Sequence, residues 1–485
     1  MRRLTKHIFL SSRECQRRGW YLHHSSSTEP ASEADRFRLE QGQLIGTQAQ
    51  LRHPDGVLVD ERIPSEAVAR TSELLTDDRV ESLFEAAFMW DDCTTRADLI
   101  VRGDQGWIVE EVKSSLQDTK QLPDLIDDVT YTVMVASGAG LEVERCRLLL
   151  ISRAYRLGMP PQDMFAAKDV TEEVASRLPE FTASLDTIRT ALQQDTPPPA
   201  RLSSVCRKCE FFATECLGKD LQHPILQIPS LHKNVIAQLV EAGIQEIKSV
   251  PEGFPLSALQ SRVVDCVKSG REYVGPTLQE DLAEIEWPAA YLDFETVATA
   301  IPLYPGIAPY EQITTQFSLH VCDEPGRVID HHEYLADPTR DCQRELAVKL
   351  LEALEGTKGV IVYHASFERG RLTDLAKLCQ DLAPQLQGVI RRLVDLEMVI
   401  RNGYYHPDFR GSYSIKRVLP VLAPDLTYKG LPIADGDAAV AQFARMALGQ
   451  YDTEEVAIIR KQLREYCEMD TLAMVRLHQR LLEIA

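Results

Sequence analysis

Five side chains in the C-terminal part of the sequence have the types and spacing for metal-assisted phosphodiester hydrolysis: Asp293, Glu295, Glu368, Tyr466 and Asp470. The segment YLDFETVA reads as a buried strand. Residues two apart on a strand share a face, so Asp293 and Glu295 point together while Phe294 packs behind them. Two adjacent carboxylates are costly to hold without a cation. Downstream, KGVIVYHASFERGRLTDLAKL gives a second apolar strand leading into a helix with Glu368 near its beginning. The last segment, TEEVAIIRKQLREYCEMDTLAMVRLHQRLLEI, keeps helical periodicity throughout, and Tyr466 and Asp470 lie on one of its faces. A pair of divalent ions can activate water, neutralise the nonbridging oxygens and stabilise the leaving alkoxide if several carboxylates hold them together. In this scheme Asp293 bridges the metals, Glu295, Glu368 and Asp470 complete the coordination, and Tyr466 orients the attacking water. Each acid alone reads as a solvated charge and Tyr466 as a core aromatic; in this order and on these elements they point to one site.

The same residues resemble the three motifs of the DEDDy exonucleases, the DnaQ-like family of RNase H-like fold. The matches are LDFET at Asp293 and Glu295, YHASFE at Glu368, and YCEMD at Tyr466 and Asp470. The resemblance implies a mixed-sheet α/β domain, Mg²⁺ or Mn²⁺ at the four acids, and 3′-to-5′ exonuclease chemistry. The second motif departs from the pattern, with His364 where Asn is usual and Glu368 where the shorter Asp is usual. Between the second and third motifs, Asp395, Tyr413 and Lys416 are candidate substrate contacts: an extra acid beside the metals, an aromatic, and a base for phosphate. A helix face and a loop explain them nearly as well.

A second constellation lies in the N-terminal part. ADLIVRGDQGWIVEEVKSS reads as a hairpin turning at Gly103 to Gly106. Counting back from an Arg102–Trp107 pair puts Asp98 opposite Glu111, with Lys113 on that face and Glu110 pointing away. Asp98 and Glu111 can then hold a divalent ion while Lys113 positions water or steadies charge on the phosphate. The alternative is a hairpin with charged residues on its wet face, and the apolar neighbours Ile100, Trp107 and Val109 count against it. The pattern resembles the PD-(D/E)XK nucleases, specifically their RecB-like branch. Two departures stand out. Thr132 occupies the place of the usual Gln on the helix after the lysine, and the upstream acid is best matched by Glu85 in SLFEAAF.

Cys206, Cys209 and Cys216 cluster as CRKCEFFATEC, with Cys15 far away in SSRECQRRGWYL. Four thiolates suit a [4Fe-4S] cluster or a zinc ion, and spacing does not separate the two. CRISPR-associated RecB-like exonucleases and AddB-type helicase-nucleases have a similar arrangement, which implies an iron-sulfur cluster stapling the domain's ends. The remaining seven of the eleven cysteines read as small buried apolar residues, and no framework spacing or secretory signal points to disulfides.

These sites require several elements to position them, and the chain is long enough to supply two large bodies. At 485 residues, 44% hydrophobic and 26% charged, it exceeds one ordinary core. The expected division is residues 1–221, a restriction-endonuclease-like α/β core with the cysteine cluster; residues 222–287, a small helical connector; and residues 288–485, the RNase H-like domain. In the connector, HKNVIAQLVEAGI and SALQSRVVDCVKSG have helical spacing with glycine stops, and a spacer fits better than a helix-hairpin-helix module because the glycine-rich turn is missing. SSSTEPASE near residue 25 reads as a short solvated loop. No apolar run approaches the roughly 18 residues of a membrane span. Near the N-terminus, Arg2, Arg3, Lys6, Arg13, Arg17 and Arg18 face Glu14 alone, a composition that suits a transit peptide or a phosphate-binding segment. A net charge of −20 excludes binding of nucleic acid by overall field, so a local basic surface and metal ions must do it; it equally suits plain solubility. The order of parts resembles the bacterial proteins grouped as domain of unknown function 2779, over nearly the full length. The expectation is a cytoplasmic nuclease acting on DNA or RNA that is single-stranded or has free ends, exonucleolytic rather than endonucleolytic. The alternative is a nucleic-acid-binding or scaffolding iron-sulfur protein with partly degenerate nuclease sites.

Overall fold

The computed structural model describes residues 3–25 and 32–485, so Arg2 and most of the expected loop near residue 25 lie outside the described residues. The chain is α/β throughout and divides into two compact units. No helix among the described residues is long and apolar enough to cross a membrane.

The first unit comprises the residues through Arg201 together with Lys208–Phe211 and Thr299–Glu311. Its strands are β1 (Leu4–Thr5), β2 (Val57–Leu58), β3 (Ser82–Trp90), β4 (Cys93–Arg102), β5 (Trp107–Leu116), β6 (Val143–Ile151) and β7 (Phe165–Asp169). They form one mixed sheet in the order β2-β3-β4-β5-β6-β7, with β1 paired to β4. The helices are α1 (Lys6–Glu14), α2 (Gln16–His24), α3 (Glu33–Gln50), α4 (Pro64–Leu75), α5 (Leu122–Gly138) and α6 (Thr171–Leu192). β4 and β5 form the expected hairpin, with Arg102 paired to Trp107 and Leu99 to Glu110. Gly106 is required there, since a Cβ would lie 2.6 Å from the Glu142 carbonyl oxygen. β5 and β6 run parallel, and a parallel pair needs a crossover, which α5 provides. Val129, Tyr131, Val133 and Met134 of α5 are buried against one face of the sheet, and α3 covers the other with Ile45 and Ala49.

The basic N-terminal segment belongs to this core. Phe9 of α1 lies 5.0 Å from the Tyr131 ring, whose hydroxyl donates to the Leu4 carbonyl at 2.6 Å. Arg13 bonds Glu180 at 2.9 Å, Arg17 donates to the Pro198 carbonyl at 2.8 Å, and Arg18 pairs with Glu14 and Glu210. These three arginines are engaged in contacts within the unit.

The second unit holds Leu202–Arg207, Phe212–Ala298 and Gln312–Ala485. It begins with α7 (Lys233–Glu241), α8 (Ala258–Ser269), β8 (Tyr273–Val274) and α9 (Leu278–Ala283). Its main strands are β9 (Ala289–Val297), β10 (Ile313–Glu324), β11 (Arg327–Leu335), β12 (Gly359–Val362) and β13 (Leu393–Asp395), and β14 (Tyr404–Tyr405) pairs with β8. The remaining helices are α10 (Gln343–Ala353), α11 (Ala365–Leu378), α12 (Ala383–Arg391), α13 (Leu396–Gly403), α14 (Ile415–Leu422), α15 (Gly436–Ala447) and α16 (Thr453–Ile484). The sheet order is β11-β10-β9-β12-β13, antiparallel through β11-β10-β9 and parallel through β9-β12-β13. Alternation along β9 divides its side chains between two cores. Leu292 and Phe294 pack with Leu372 and Leu375 of α11, whereas Tyr291 packs with Ala473 and Leu477 of α16.

The helices of 222–287 form where their periodicity predicts, stopped by Gly243 at φ 78° and Gly270 at φ 68°. They do not stand apart as a connector. Ile236, Leu239, Val263 and Val267 are buried in one core with Tyr404, Val418 and Leu477, because their apolar faces have no other surface to cover.

Candidate functional site

In the second unit, β9 and α16 bring Asp293, Glu295 and Asp470 together, with one oxygen of each within 4.8 Å of the others. α16 is pinned over the sheet by Gln316 of β10, which donates to the Leu463 carbonyl at 3.0 Å. Cys467 puts its sulfur 3.6 Å from an Asp293 oxygen. Burial, then the carboxylates of Asp470, Glu295 and Glu368, push Asp293 well above the ordinary range. Glu295 is raised by burial and Asp470, with the Lys416 ammonium opposing. Asp470 is raised by burial, against hydrogen bonds from Tyr428 and Tyr466 and the charge of Lys416. Acids that resist ionisation for want of a counter-charge fit a divalent cation, and an all-oxygen set suits Mg²⁺ or Mn²⁺.

Tyr466 is buried beside these acids, and burial followed by Asp470 and Glu295 pushes its phenol far up, so it stays a hydrogen-bond donor. Lys416 reaches the same place, 5.4 Å from the Tyr466 ring centre and 5.6 Å from that of Tyr428, while donating to the Ala434 carbonyl at 2.8 Å. Tyr428 was not legible in the sequence. Its hydroxyl donates to Asp470 at 2.5 Å from an irregular segment with no periodicity to flag it.

Glu368 stands outside the group of three. It comes from α11, whose apolar side packs with Leu292 and Phe294, on the opposite side from α16. Its carboxylate is buried, and Oε2 has no hydrogen-bond partner among the described residues. Burial, with Asp395 adding, pushes it up to about 8. Because that folded value lies above the ordinary carboxyl value, the stability tied to its protonated form is complete at low pH and is lost as pH rises through about 8. Glu368→Gln should therefore stabilise the metal-free protein, by about 2 kcal/mol more at pH 8 than at pH 6. Chelator-treated melting curves at the two pH values check this; a pH-independent difference would contradict it.

The other expected contacts separate. Asp395 accepts backbone N–H bonds from His364 at 3.2 Å, Ala365 at 2.9 Å and Met398 at 3.2 Å, so it caps helices and holds the strand-to-helix turn. His364 takes a left-handed conformation there (φ 72°), and its exposed ring meets Glu397 at 2.9 Å. Tyr413 is buried against Tyr405 and Phe409. Of the three, Lys416 acts on Glu295 and Asp470, while Asp395 acts on Glu368.

In the first unit the register places Asp98 opposite Glu111. The ladder ends at Leu99–Glu110, and Asp98 accepts the Val112 N–H at 2.7 Å. Glu111 is buried; its Oε1 takes Lys113 at 3.1 Å and also Lys6 of α1, and its Oε2 takes the Thr132 hydroxyl at 3.3 Å. Burial opposes ionisation of Glu111, but the two ammonium groups outweigh it and hold it low. The same burial and the charge on Glu111 raise Asp98. Lys113 also bridges to Asp128 of α5. Glu85, in β3, breaks the pairing with a positive φ of 57°, and burial raises it with Glu111 contributing. A non-glycine residue held there is a strained feature of the kind functional sites keep. Glu85 and Asp98 line a cleft of about 440 Å³ with Gly42 and Gly46 of α3. Thr132 thus does meet the site, and Lys6 and Asp128 are additions that sequence reasoning missed.

Cys15 and Cys209 fall in the first unit, Cys206 and Cys216 in the second. Burial raises the Cys209 thiol, and Cys15 adds to the rise through its proximity. The other seven cysteines are all buried.

Residues 290–414 match the family model described as "Domain of unknown function (DUF2779)". The match covers Asp293, Glu295 and Glu368 but neither the third motif nor the residues before 290, so it is much shorter than the near full-length resemblance expected. Three relatives are similar over part of the chain. They are the uncharacterized protein MG366 homolog of Mycoplasma pneumoniae (25% identical, covering 42% of this chain and 33% of that protein), uncharacterized protein MG366 of Mycoplasma genitalium (24%, with the same coverage), and uncharacterized protein UU173 of Ureaplasma parvum (25%, 40% and 31%). The alignments span about a third of those relatives' length. Within residues 290–414, the chain is similar to a family defined by its sequence and not by an activity.

Proposed function

We propose that this chain is a cytoplasmic, metal-dependent nuclease that hydrolyses phosphodiester bonds of DNA or RNA. The observation that carries the reading is the convergence of Asp293, Glu295 and Asp470 within 4.8 Å on β9 and α16, beside buried Tyr466. The sheet order, three antiparallel strands continued by two parallel ones, supports an RNase H-like assignment for the second unit. Mg²⁺ or Mn²⁺ at these acids would supply an activated water and neutralise charge on the phosphoryl oxygens. Asp293, Glu295 and Asp470 would hold it. Tyr466 stays protonated and orients the water through its hydroxyl, while Lys416 offsets negative charge and Tyr428 fixes Asp470. Glu368 lies outside that group of three and acts on it through its field at Asp293. A 3′-to-5′ exonuclease acting on single strands or free ends follows from the resemblance of these motifs. Divalent-dependent degradation of labelled single strands by Lys113→Ala protein, lost when Asp293→Asn is added, tests the reading; no cleavage of either DNA or RNA by folded protein would overturn it.

The first unit is read as a RecB-like PD-(D/E)XK site, with Asp98 and Glu111 as metal ligands, Lys113 positioning water and Glu85 upstream. One observation favours a second reading, a binding site that no longer cuts: both oxygens of Glu111 already have partners, in Lys6, Lys113 and Thr132. A [4Fe-4S] cluster on Cys15, Cys206, Cys209 and Cys216, with zinc as the other occupant, completes the proposal. Anaerobically purified protein is expected to be brown and to absorb near 400 nm, with loss of the band in Cys209→Ser; a colourless protein carrying stoichiometric zinc would decide for zinc.

A further inference from the structure

The antiparallel pair β10–β11 sets His320 directly opposite His331. Their rings lie 4.4 Å apart, and Glu468 of α16 completes a group whose ligand atoms are all within 4.8 Å of one another. We propose that His320, His331 and Glu468 form a binding site for a zinc-class divalent ion, separate from the acidic cluster.

The hydrogen bonds around the pair fix where each ring can accept a metal. Thr471 bonds the Glu468 carbonyl at 3.0 Å, and a carbonyl can only accept, so the hydroxyl proton of Thr471 is committed there. Thr471 Oγ1 must then accept from its two other neighbours, His320 Nδ1 at 2.8 Å and Ser318 Oγ at 2.9 Å. With its proton given to Thr471, Ser318 accepts from His331 Nε2 at 3.0 Å. Every proton in the chain is thereby assigned. That leaves Nε2 of His320 and Nδ1 of His331 for a metal, each ring being oriented by the nitrogen that donates into the hydroxyl network. Metal-binding histidines are held in this way, through a hydrogen bond from the second ring nitrogen.

Two imidazoles and one carboxylate suit zinc and its neighbours in the transition series better than Mg²⁺, which prefers an all-oxygen set. Bonds of about 2.0–2.2 Å need ligand atoms about 3.4 Å apart. The closing movement falls to Glu468, which turns on three side-chain torsions, and to His331 on the edge strand β11. A fourth position stays open to water. Ser318 also pairs with Asp293 across β9–β10, and Glu468 sits between Tyr466 and Asp470 in sequence. An ion here ties α16 to the sheet where α16 carries two of the acidic site's groups, so the site is an auxiliary one that fixes the helix.

The test is zinc binding by equilibrium dialysis on the full chain, with excess Mg²⁺ to occupy the acidic cluster. His331→Ala and, independently, Glu468→Gln are each expected to bind one zinc ion fewer per chain than the parent. Any zinc at the cysteines is common to all three and cancels in the difference. Zinc should also raise the Tm of the parent more than that of either variant. Equal stoichiometry in parent and both variants, with melting curves showing all three folded, would overturn the proposal.

Discussion

Asp293→Asn is expected to lower divalent-dependent hydrolysis by the second unit about 10³-fold, the equivalent of roughly 4 kcal/mol of transition-state stabilisation. Asp293 is the carboxylate on which the fields of Asp470, Glu295 and Glu368 all converge, so its loss removes the shared ligand. The same substitution should make the metal-free protein more stable at neutral pH. Asp293 is raised well above the ordinary range, so the folded form favours its neutral state, and the penalty for ionisation grows as pH rises. A neutral amide removes that penalty. Added Mg²⁺ or Mn²⁺ should raise the Tm of the parent and have a smaller effect on the variant. Activity lost together with stability would instead mean that the variant had unfolded. Single-turnover rates and melting curves, with and without chelator, separate the two outcomes.

Lys113→Ala should have the second-largest effect, read in an Asp293→Asn background in which the second unit is silent. Cleavage that survives there belongs to the first unit and should fall by about 10²–10³-fold when Lys113 is removed, the scale associated with one positioned polar group at a reacting phosphate. Lys6 remains on Glu111, so the buried carboxylate is not left without a cation and the fold should persist. If Asp293→Asn alone already abolishes all cleavage, the first unit is the non-cutting binding site that the engagement of Glu111 favours. Labelled single strands with Mn²⁺ serve for both variants.

What the sequence disclosed follows from which constraints are local. The register that opposes Asp98 to Glu111 could be counted because the turn of Gly103 to Gly106 is short and a one-residue slip would invert every side chain. Asp293 and Glu295 on β9, and Tyr466 and Asp470 on α16, were legible from strand and helix periods alone. Lys6 was not, since it meets Glu111 across 105 residues and reads locally as one of several basic residues. Asp128 and Tyr428 were hidden for the same reason. Glu368 was correctly placed at the start of a helix, yet that placement does not say which side of the sheet the helix covers. The helices of 222–287 show the same limit: an amphipathic face announces that something will cover it, but not what. The hydroxyl network behind His320 and His331 depends on a strand pairing and a helix packed over it, and no single segment carries that information.

The central claim is that the acids on β9 and α16 cut phosphodiester bonds, and one measurement tests it most directly. Protein carrying Lys113→Ala, with the first unit silenced, is incubated with a 5′-labelled single strand of DNA or RNA and Mn²⁺. The expected result is stepwise shortening from the 3′ end, dependent on the metal and absent when Asp293→Asn is added. A substrate that stays intact as both DNA and RNA, with Mg²⁺ and with Mn²⁺, while the protein melts cooperatively as a folded chain, would contradict the account.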